Sequence, residues 1–187
     1  MAYDPLMPRR LQPYLAPQFK PRLEHGGAIR RGRRKLARPM DPKRPLHIVM
    51  RALQARGPRS MLTRANSQKV DALVHRYARQ FQVRIFNYSN VGNHLHLLVQ
   101  GKHRRQLQAF LRVLPGQLAQ ALTGAKKGRK LASRFWDLLA FSRVVEWGRS
   151  LQILRRYIAK NDLEAAGIVS REEIERIFRV PGVGLRD

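Results

Sequence analysis

The residues whose types and spacing could do chemistry are two histidines and, later in the chain, a tyrosine and an asparagine. His94 and His96 flank Leu95 in the run Asn93-His94-Leu95-His96-Leu97-Leu98-Val99. Side chains alternate along a strand, so His94 and His96 share one face and Leu95 takes the other. Two imidazoles on a rigid strand make a two-pronged metal grip, imidazole being the commonest metal ligand. The same tripeptide would also serve as two polar residues on a half-exposed strand. Tyr157 and Asn161 are one helical turn apart and share a helix face. Taken separately, Tyr157 reads as an amphipathic side chain at a core edge and Asn161 as a helix C-cap.

The elements that must position these residues follow from hydrophobic periodicity. Leu46 to Leu53 alternates and is β-branched, which predicts a strand. Asn66 or Ser67 can cap a helix that runs to about Gln80, with Val70, Leu73, Val74 and Tyr77 on one face. Phe81 to Tyr88 alternates again, and Ser89-Asn90-Val91-Gly92 turns it into the histidine strand as a hairpin. A helix from Arg104 to Leu122 carries Leu107, Phe110, Leu111, Leu114, Leu118 and Leu122, with Pro115 expected to interrupt and kink it. Phe135 to Val145 reads as a further strand region. Ser150 can then cap a helix bearing Leu151, Ile153, Leu154, Tyr157 and Ile158 and ending near Asn161. Glu172 to Phe178 reads as one more short helix. Strand, helix, strand, strand, helix, strand is the split βαβ, ferredoxin-like or RRM-like order. The fold class expected is therefore α+β: an antiparallel sheet with helices on one face, plus a C-terminal helix bearing the tyrosine.

The ordered domain is expected over residues 45–168, and a terminal helix and tail over 169–187. Residues 1–44 read as a flexible arm. Seven prolines punctuate that stretch, its apolar residues lack a period, and it carries Arg30, Arg31, Arg33, Arg34 and Lys35. The arm reads either as a solubilising tail or as a polycation lying along phosphates. The loop holding Lys126, Lys127, Arg129 and Lys130 suits phosphate contact as well.

Charge narrows the function classes. Among 187 residues, 38 Lys+Arg stand against 12 Asp+Glu, a formal net charge of +26. Such an imbalance opposes compaction unless a polyanion neutralises it, and nucleic acid is the natural one. No long basic amphipathic helix with a continuous apolar face suits a membrane surface, and no apolar run suits a membrane span. The absence of cysteine excludes disulfides and thiolate zinc sites. No phosphate-loop glycine motif is present, so no nucleotide cofactor is expected, and no Asp-Asp-Glu set suggests a two-metal transposase. A soluble, cytoplasmic and nucleoid-associated protein is expected. His25, His47, His75 and His103 lack a partner at ligand spacing and read as structural or DNA-facing. Tyr77 and Tyr88 read as core.

Taken together, the motifs resemble those of the single-tyrosine HUH transposases, in particular the REP-associated tyrosine transposases, over roughly Pro45 to Ile168. The matching pieces are Asn93-His94-Leu95-His96-Leu97-Leu98-Val99 and Tyr157-Ile158-Ala159-Lys160-Asn161. Phe135-Trp136 and the opening strand's His47 fit as well. Two positions depart. Val91-Gly92 stands where the family often has Met-Pro, and Asp162 follows the helix asparagine where a proline is common.

The resemblance implies Tyr157 as a nucleophile that forms a 5′-phosphotyrosine and leaves a free 3′-hydroxyl. It also implies hairpin, single-stranded DNA as substrate and a homodimer in which the tyrosine helix can serve the partner's metal site. Phosphodiester cleavage needs an in-line oxygen nucleophile and neutralisation of charge on the phosphoryl oxygens. His94 and His96, with the amide oxygen of Asn161 as third ligand, suit Mg2+ or Mn2+ for that neutralisation. Two other readings share the charge: a regulator of the same fold without catalysis, and a basic RNA-binding protein.

Overall fold

The computed structural model describes residues 23–30, 36–126, 128–129, 131, 133–167 and 173. Five strands form one antiparallel sheet. They are β1 (Glu24–His25), β2 (Leu46–Arg51), β3 (Val83–Asn90), β4 (His94–Gly101) and β5 (Phe141–Val144), in the spatial order β1-β5-β2-β4-β3. Among the described residues three α-helices accompany them: α1 (Arg64–Gln80), α2 (Arg104–Thr123) and α3 (Arg149–Ala166). Without the edge strand β1, the order β5-β2-β4-β3 is that of the split βαβ fold expected from the sequence.

The two faces of the sheet are covered unequally. Leu46, Ile48 and Met50 of β2 and Leu95, Leu97 and Val99 of β4 face a core built with α1 and α2. Helix α1 contributes Val70, Val74, Tyr77 and Ala78, and α2 contributes Leu107, Phe110, Leu114, Leu118 and Leu122. Each Val, Leu, Ile, Met or Phe side chain of this set taken from water stabilises the fold by roughly 1.5–3 kcal/mol. On the opposite face lies α3, where Leu98, Val145 and Ile158 form a small cluster with Phe86, Leu151 and Leu154 around it. Ile158 is the one buried residue of α3. The tyrosine-bearing helix is thus held on the second face by a thin apolar contact.

Several expected boundaries move, each for a local reason. Helix α1 begins at Arg64, and Asn66 is not its cap: the Asn66 amide donates to the Pro58 and Ser60 carbonyls, 2.9 Å each, and ties down the preceding loop. Strand β3 begins at Val83 because Phe81 closes α1 and Gln82 turns with φ 53°. A bulge between Ile85 and Asn87 then shifts the alternation, so Ile85 and Tyr88 meet the main core while Phe86 turns to the α3 face.

Helix α2 is continuous through Pro115. The apolar stripe from Leu107 to Leu122 holds both halves to the core and offsets the lost backbone bond, an effect of about 3 kcal/mol. Of the strand expected over 135–145, only Phe141–Val144 pairs. Phe135 enters the core instead, and Asp137 wraps the end of β2, its N–H donating to the Arg51 carbonyl at 3.0 Å. Helix α3 runs five residues beyond Asn161, to Ala166, so Asn161 lies inside the helix and is no C-cap.

Within the stretch expected as an arm, Glu24 and His25 pair with Arg143 and Ser142 of β5. Arg38 donates to the Ser142 hydroxyl and, at 2.9 Å, to the Ala140 carbonyl. These pieces belong to the sheet because β5 would otherwise present an open edge. Arg31, Arg33, Arg34 and Lys35 lie outside the described residues, as do Lys127, Lys130 and, apart from Glu173, the expected helix Glu172 to Phe178.

Candidate active site

The turn before β4 sets the histidines in place. Gly92 has φ +88°, and a Cβ there would stand 3.2 Å from Leu62 Cδ1 and 3.3 Å from Ser60 Oγ, so the position requires glycine. The Asn90 amide closes the turn, donating to the Met61 carbonyl at 2.7 Å while its oxygen accepts from the Gly92 N–H at 3.1 Å. The Ala52 N–H donates to the Asn93 carbonyl at 2.8 Å and fixes β4 to the end of β2. From there the strand alternates. Leu95 and Leu97 enter the α1–α2 core, while His94, His96 and Leu98 take the α3 face.

Across the sheet, Val49 stands opposite His96, Arg51 opposite His94 and His47 opposite Leu98. His47 is therefore a diagonal neighbour of His96 on the same face. The two rings stack with centroids 5.5 Å apart and an interplanar angle of 7°, and His47 Nε2 lies 3.3 Å from His96 Nδ1. His94 meets His96 edge-on at 4.9 Å, and its own Nδ1 lies 2.6 Å from the Asn93 amide oxygen. Helix α3 brings Tyr157 edge-on to His96, centroids 5.6 Å apart, and places the Asn161 amide 3.5 Å from His96 Nε2. The four residues singled out in the sequence thus converge from two elements, and His47 joins them.

Reasoning from sequence set His47 aside for want of a partner. The alternation of β2 did carry a signal, since His47 falls on the face opposite Leu46, Ile48 and Met50. The pairing register that makes it a neighbour of His96 is a property of the fold. His25 is buried, its Nε2 lying 3.0 Å from the Leu36 carbonyl, and the His103 N–H donates to Gln106 Oε1 at 3.0 Å at the start of α2. His75 packs edge-on against Tyr88. All three lie outside this cluster.

The electrostatics favour neutral imidazoles. Burial, with the Arg143 charge adding, lowers the His47 pKa to about 4. Burial, with His47 and His94 adding, lowers that of His96 to about 3. Burial and Arg51 lower that of His94 as well. A neutral imidazole keeps one lone pair for a cation. With Nδ1 of His94 and of His96 engaged within the sheet, Nε2 is left for a cation on each ring, that of His96 facing the Asn161 amide nitrogen at 3.5 Å, the arrangement common to metal-ligating histidines.

Among the described residues, no three His, Cys, Asp or Glu side chains are grouped to hold a metal ion. The donor set therefore amounts to two imidazoles plus an amide, with Asn161 supplying an oxygen once its amide is turned over. Such a set fits a divalent cation that keeps open positions for oxygen ligands. The site opens into a cavity of about 610 Å3 that includes Arg51, Asn93, His94, His96 and Tyr157 in its wall. Tyr157 is 49% exposed, so its ring is accessible from solvent.

Of the basic residues singled out, Lys126 and Arg129 are exposed and bridge each other through backbone bonds of 3.1 and 2.9 Å. Arg30 ends a short 3-10 turn, Gly27–Arg30. Arg51 and Arg143 were not singled out, yet Arg51 lines the cavity and Arg143 lies close enough to act on His47. No helix among the described residues is long and apolar enough to cross a membrane.

A family model described as transposase, IS200-like, matches residues 44–161. That span holds β2 to β5, all three histidines of the cluster, Tyr157 and Asn161. A solved structure described as a candidate transposase of Deinococcus radiodurans R1 is similar, at 11% identity and a TM-score of 0.42, over 63% of this chain and 89% of that one. No curated protein matches the chain.

Proposed function

This chain belongs to the family of IS200-like transposases, and on that premise we propose that it cuts and rejoins single-stranded hairpin DNA through a tyrosine of its own. The observation that carries the reading is the meeting of β4 and α3: Tyr157 stands edge-on to His96 at 5.6 Å, and Asn161 lies 3.5 Å from the same ring. A nucleophile and a pair of neutral imidazoles then face one cavity, with the Asn161 amide beside one of those imidazoles, in a chain whose formal charge of +26 favours a polyanion.

In this reading Tyr157 Oη attacks the scissile phosphorus. The bond from phosphorus to the 3′ oxygen breaks, that oxygen takes up a proton, and the 5′ phosphate stays on the tyrosine. The phenolic proton passes to solvent at the half-exposed ring. Rejoining reverses the step: a 3′-hydroxyl attacks the phosphotyrosine and expels the phenol, so no nucleotide is consumed. His94, His96 and Asn161 would hold a divalent cation, Mg2+ or Mn2+, which when bound supplies Lewis-acid neutralisation of the developing phosphoryl charge. His47 and Asn93 keep the two rings turned with Nε2 outward. Arg51 adds a fixed positive charge to the cavity wall. Lys126, Lys127, Arg129 and Lys130 and the cluster Arg30, Arg31, Arg33, Arg34 and Lys35 provide phosphate contacts away from the reacting centre. The assembly in this reading is a homodimer.

The test is a denaturing gel with hairpin DNA labelled at either end, incubated with Mg2+ or Mn2+. The unmodified chain is expected to form an adduct that survives denaturation and holds the fragment 3′ of the break, linked through its 5′ phosphate, so that only the 3′-end label is retained. Tyr157→Phe is expected to bind the same DNA and form none. An adduct that persists in Tyr157→Phe, or forms equally in chelator, overturns the mechanism. DNA binding with no adduct from either protein would instead support a regulator of the same fold.

A further inference from the structure

Tyr157 stands at the border of two cavities. Besides the histidine cavity of about 610 Å3, a second one of about 470 Å3 lies between β5 and the first turns of α3, and both have His47 and Tyr157 in their walls. The volume falls in the range of small-ligand sites, about 300–1,000 Å3. Its apolar wall comes from Val145, Ile153 and Leu154. Ile153 is 59% exposed, and it lies one helical turn before Tyr157, so an uncovered apolar surface runs directly to the nucleophile.

Two opposite charges rim this cavity, and neither is firmly engaged. Arg143 lies 3.7 Å from Glu24, and Glu146 lies 3.9 Å from Arg44. Both side chains are more than half exposed, at 56% and 66%. Pairs that long and that wet hold their partners weakly. Both head groups are therefore free to turn onto a ligand in the cavity.

We propose that this second cavity receives the nucleobase next to the cleaved phosphate, and that it is built for guanine. The inference rests on the DNA-cleaving reading above and adds a base preference to it. A phosphate held at Tyr157 leaves its two nucleotides on either side of the tyrosine, one toward each cavity. An unpaired base stacks its apolar faces against Val145, Ile153 and Leu154. Guanine alone offers paired acceptors, O6 and N7, to the Arg143 guanidinium while presenting N1–H and N2–H donors to the Glu146 carboxylate. Adenine lacks O6, and the pyrimidines lack N7 and leave the apolar wall partly uncovered. Charge complementarity thus selects the occupant, and the shared His47–Tyr157 border selects its place in the strand.

The experiment incubates the protein and Mn2+ with a hairpin oligonucleotide library whose single-stranded flank is randomised. Covalent adducts and the released fragments ending in a 3′-hydroxyl are each isolated and sequenced from the cleavage point outward. Guanine is expected to be enriched at one nucleotide adjoining the break by about tenfold or more. In Arg143→Gln and in Glu146→Gln the enrichment is expected to fall toward parity among the adducts that still form. No enrichment of guanine at either adjoining position, or the same enrichment in both variants, overturns the proposal. If no adduct forms on any sequence, the cleavage reading fails first. The library is then selected by equilibrium binding to Tyr157→Phe, with and without Arg143→Gln. Guanine selected in the single variant and lost in the double one keeps the cavity as a base site, and no selection in either removes it.

Discussion

His47 Nε2 lies 3.3 Å from His96 Nδ1, with the two rings stacked at 7°. One proton between those nitrogens satisfies both, and its place decides what His96 offers on its other side. With the proton on His96 Nδ1, His47 Nε2 accepts it. His96 Nε2 then keeps its lone pair, facing the Asn161 amide at 3.5 Å. Burial keeps both rings uncharged at neutral pH. His47 therefore acts through His96, fixing its tautomer and its angle.

His47→Phe keeps the ring stack and removes the nitrogen. It is expected to weaken Mn2+ binding by about 10–100-fold, the usual cost of losing a group that orients a ligating histidine. His47→Gln, whose amide oxygen can accept the same proton, is expected to recover part of that loss. Calorimetric titration of the DNA-free protein with Mn2+ measures both. Equal affinities in the unmodified chain and in His47→Phe would reduce His47 to a packing residue.

Helix α3 rests on one buried side chain, Ile158, against Leu98 and Val145. Ile158→Ala strips away most of that apolar seat, at a cost of about 2–5 kcal/mol if the helix stays seated. Because the main core lies on the other face, the loss is expected to appear as local release of α3 more than as global unfolding. Hydrogen exchange should speed up over 149–166 with little change in β2 and β4, and adduct yield should fall well below that of the unmodified chain. Uniform acceleration across the sheet would show that α3 unfolds only with the whole domain.

The sequence made part of this site legible and hid the rest. The shared face of His94 and His96 follows from strand alternation, and the shared face of Tyr157 and Asn161 from the helical turn. Both are local periods. Leu107 to Leu122 likewise announced the stripe that buries α2. What stayed hidden depends on packing between distant segments. The nearness of His47 to His96 needs the β2–β4 register, Val49 opposite His96. Phe86 reaches α3 only because a bulge breaks the alternation of β3. Glu24 and His25 carry no strand period of their own and are ordered by the open edge of β5. Phe135 to Ala140 has strand-like composition, but Asp137 is drawn onto the Arg51 carbonyl at the end of β2.

That edge pairing changes how the basic segments are best tested. Deleting 1–44 would also remove Glu24, His25 and Arg38 from the sheet, so substitution is the cleaner experiment. Replacing Arg31, Arg33, Arg34 and Lys35 by glutamine, and separately Lys126, Lys127, Arg129 and Lys130, is expected to weaken single-stranded DNA binding. The salt dependence should flatten as well, the slope of log affinity against log salt falling by roughly 0.7 for each phosphate no longer neutralised. Binding isotherms at several salt concentrations read the slope. An unchanged slope in one set would mark that cluster as a solvated surface that neutralises no phosphate.

The remaining prediction concerns Asn161, which lies within α3 with a full turn of helix after it. A helix C-cap would act on its own backbone, and its side chain could be replaced with effects on stability alone. Here the amide lies 3.5 Å from His96 Nε2, on the same helix face as Tyr157. Its oxygen is the donor that would complete the set begun by His94 and His96. Three variants separate the roles. His94→Ala and His96→Ala each leave a single imidazole and are expected to abolish both Mn2+ binding and adduct formation. Asn161→Ala is expected to weaken Mn2+ binding while leaving the circular dichroism spectrum unchanged. Asn161→Asp puts a carboxylate where the amide oxygen would act, beside two neutral imidazoles. It should bind Mn2+ more tightly than the unmodified chain, because an anionic oxygen is the stronger ligand for a hard cation. The same carboxylate, beside His96, repels a phosphate brought to the cation, so its adduct yield should fall even as its Mn2+ affinity rises. That opposition is the informative outcome, since a merely structural asparagine would move neither quantity in this pattern. Mn2+ titration followed by electron paramagnetic resonance, alongside the adduct gel, reads the two quantities separately. If Mn2+ affinity is the same in Asn161→Ala, Asn161→Asp and the unmodified chain, Asn161 is not a ligand.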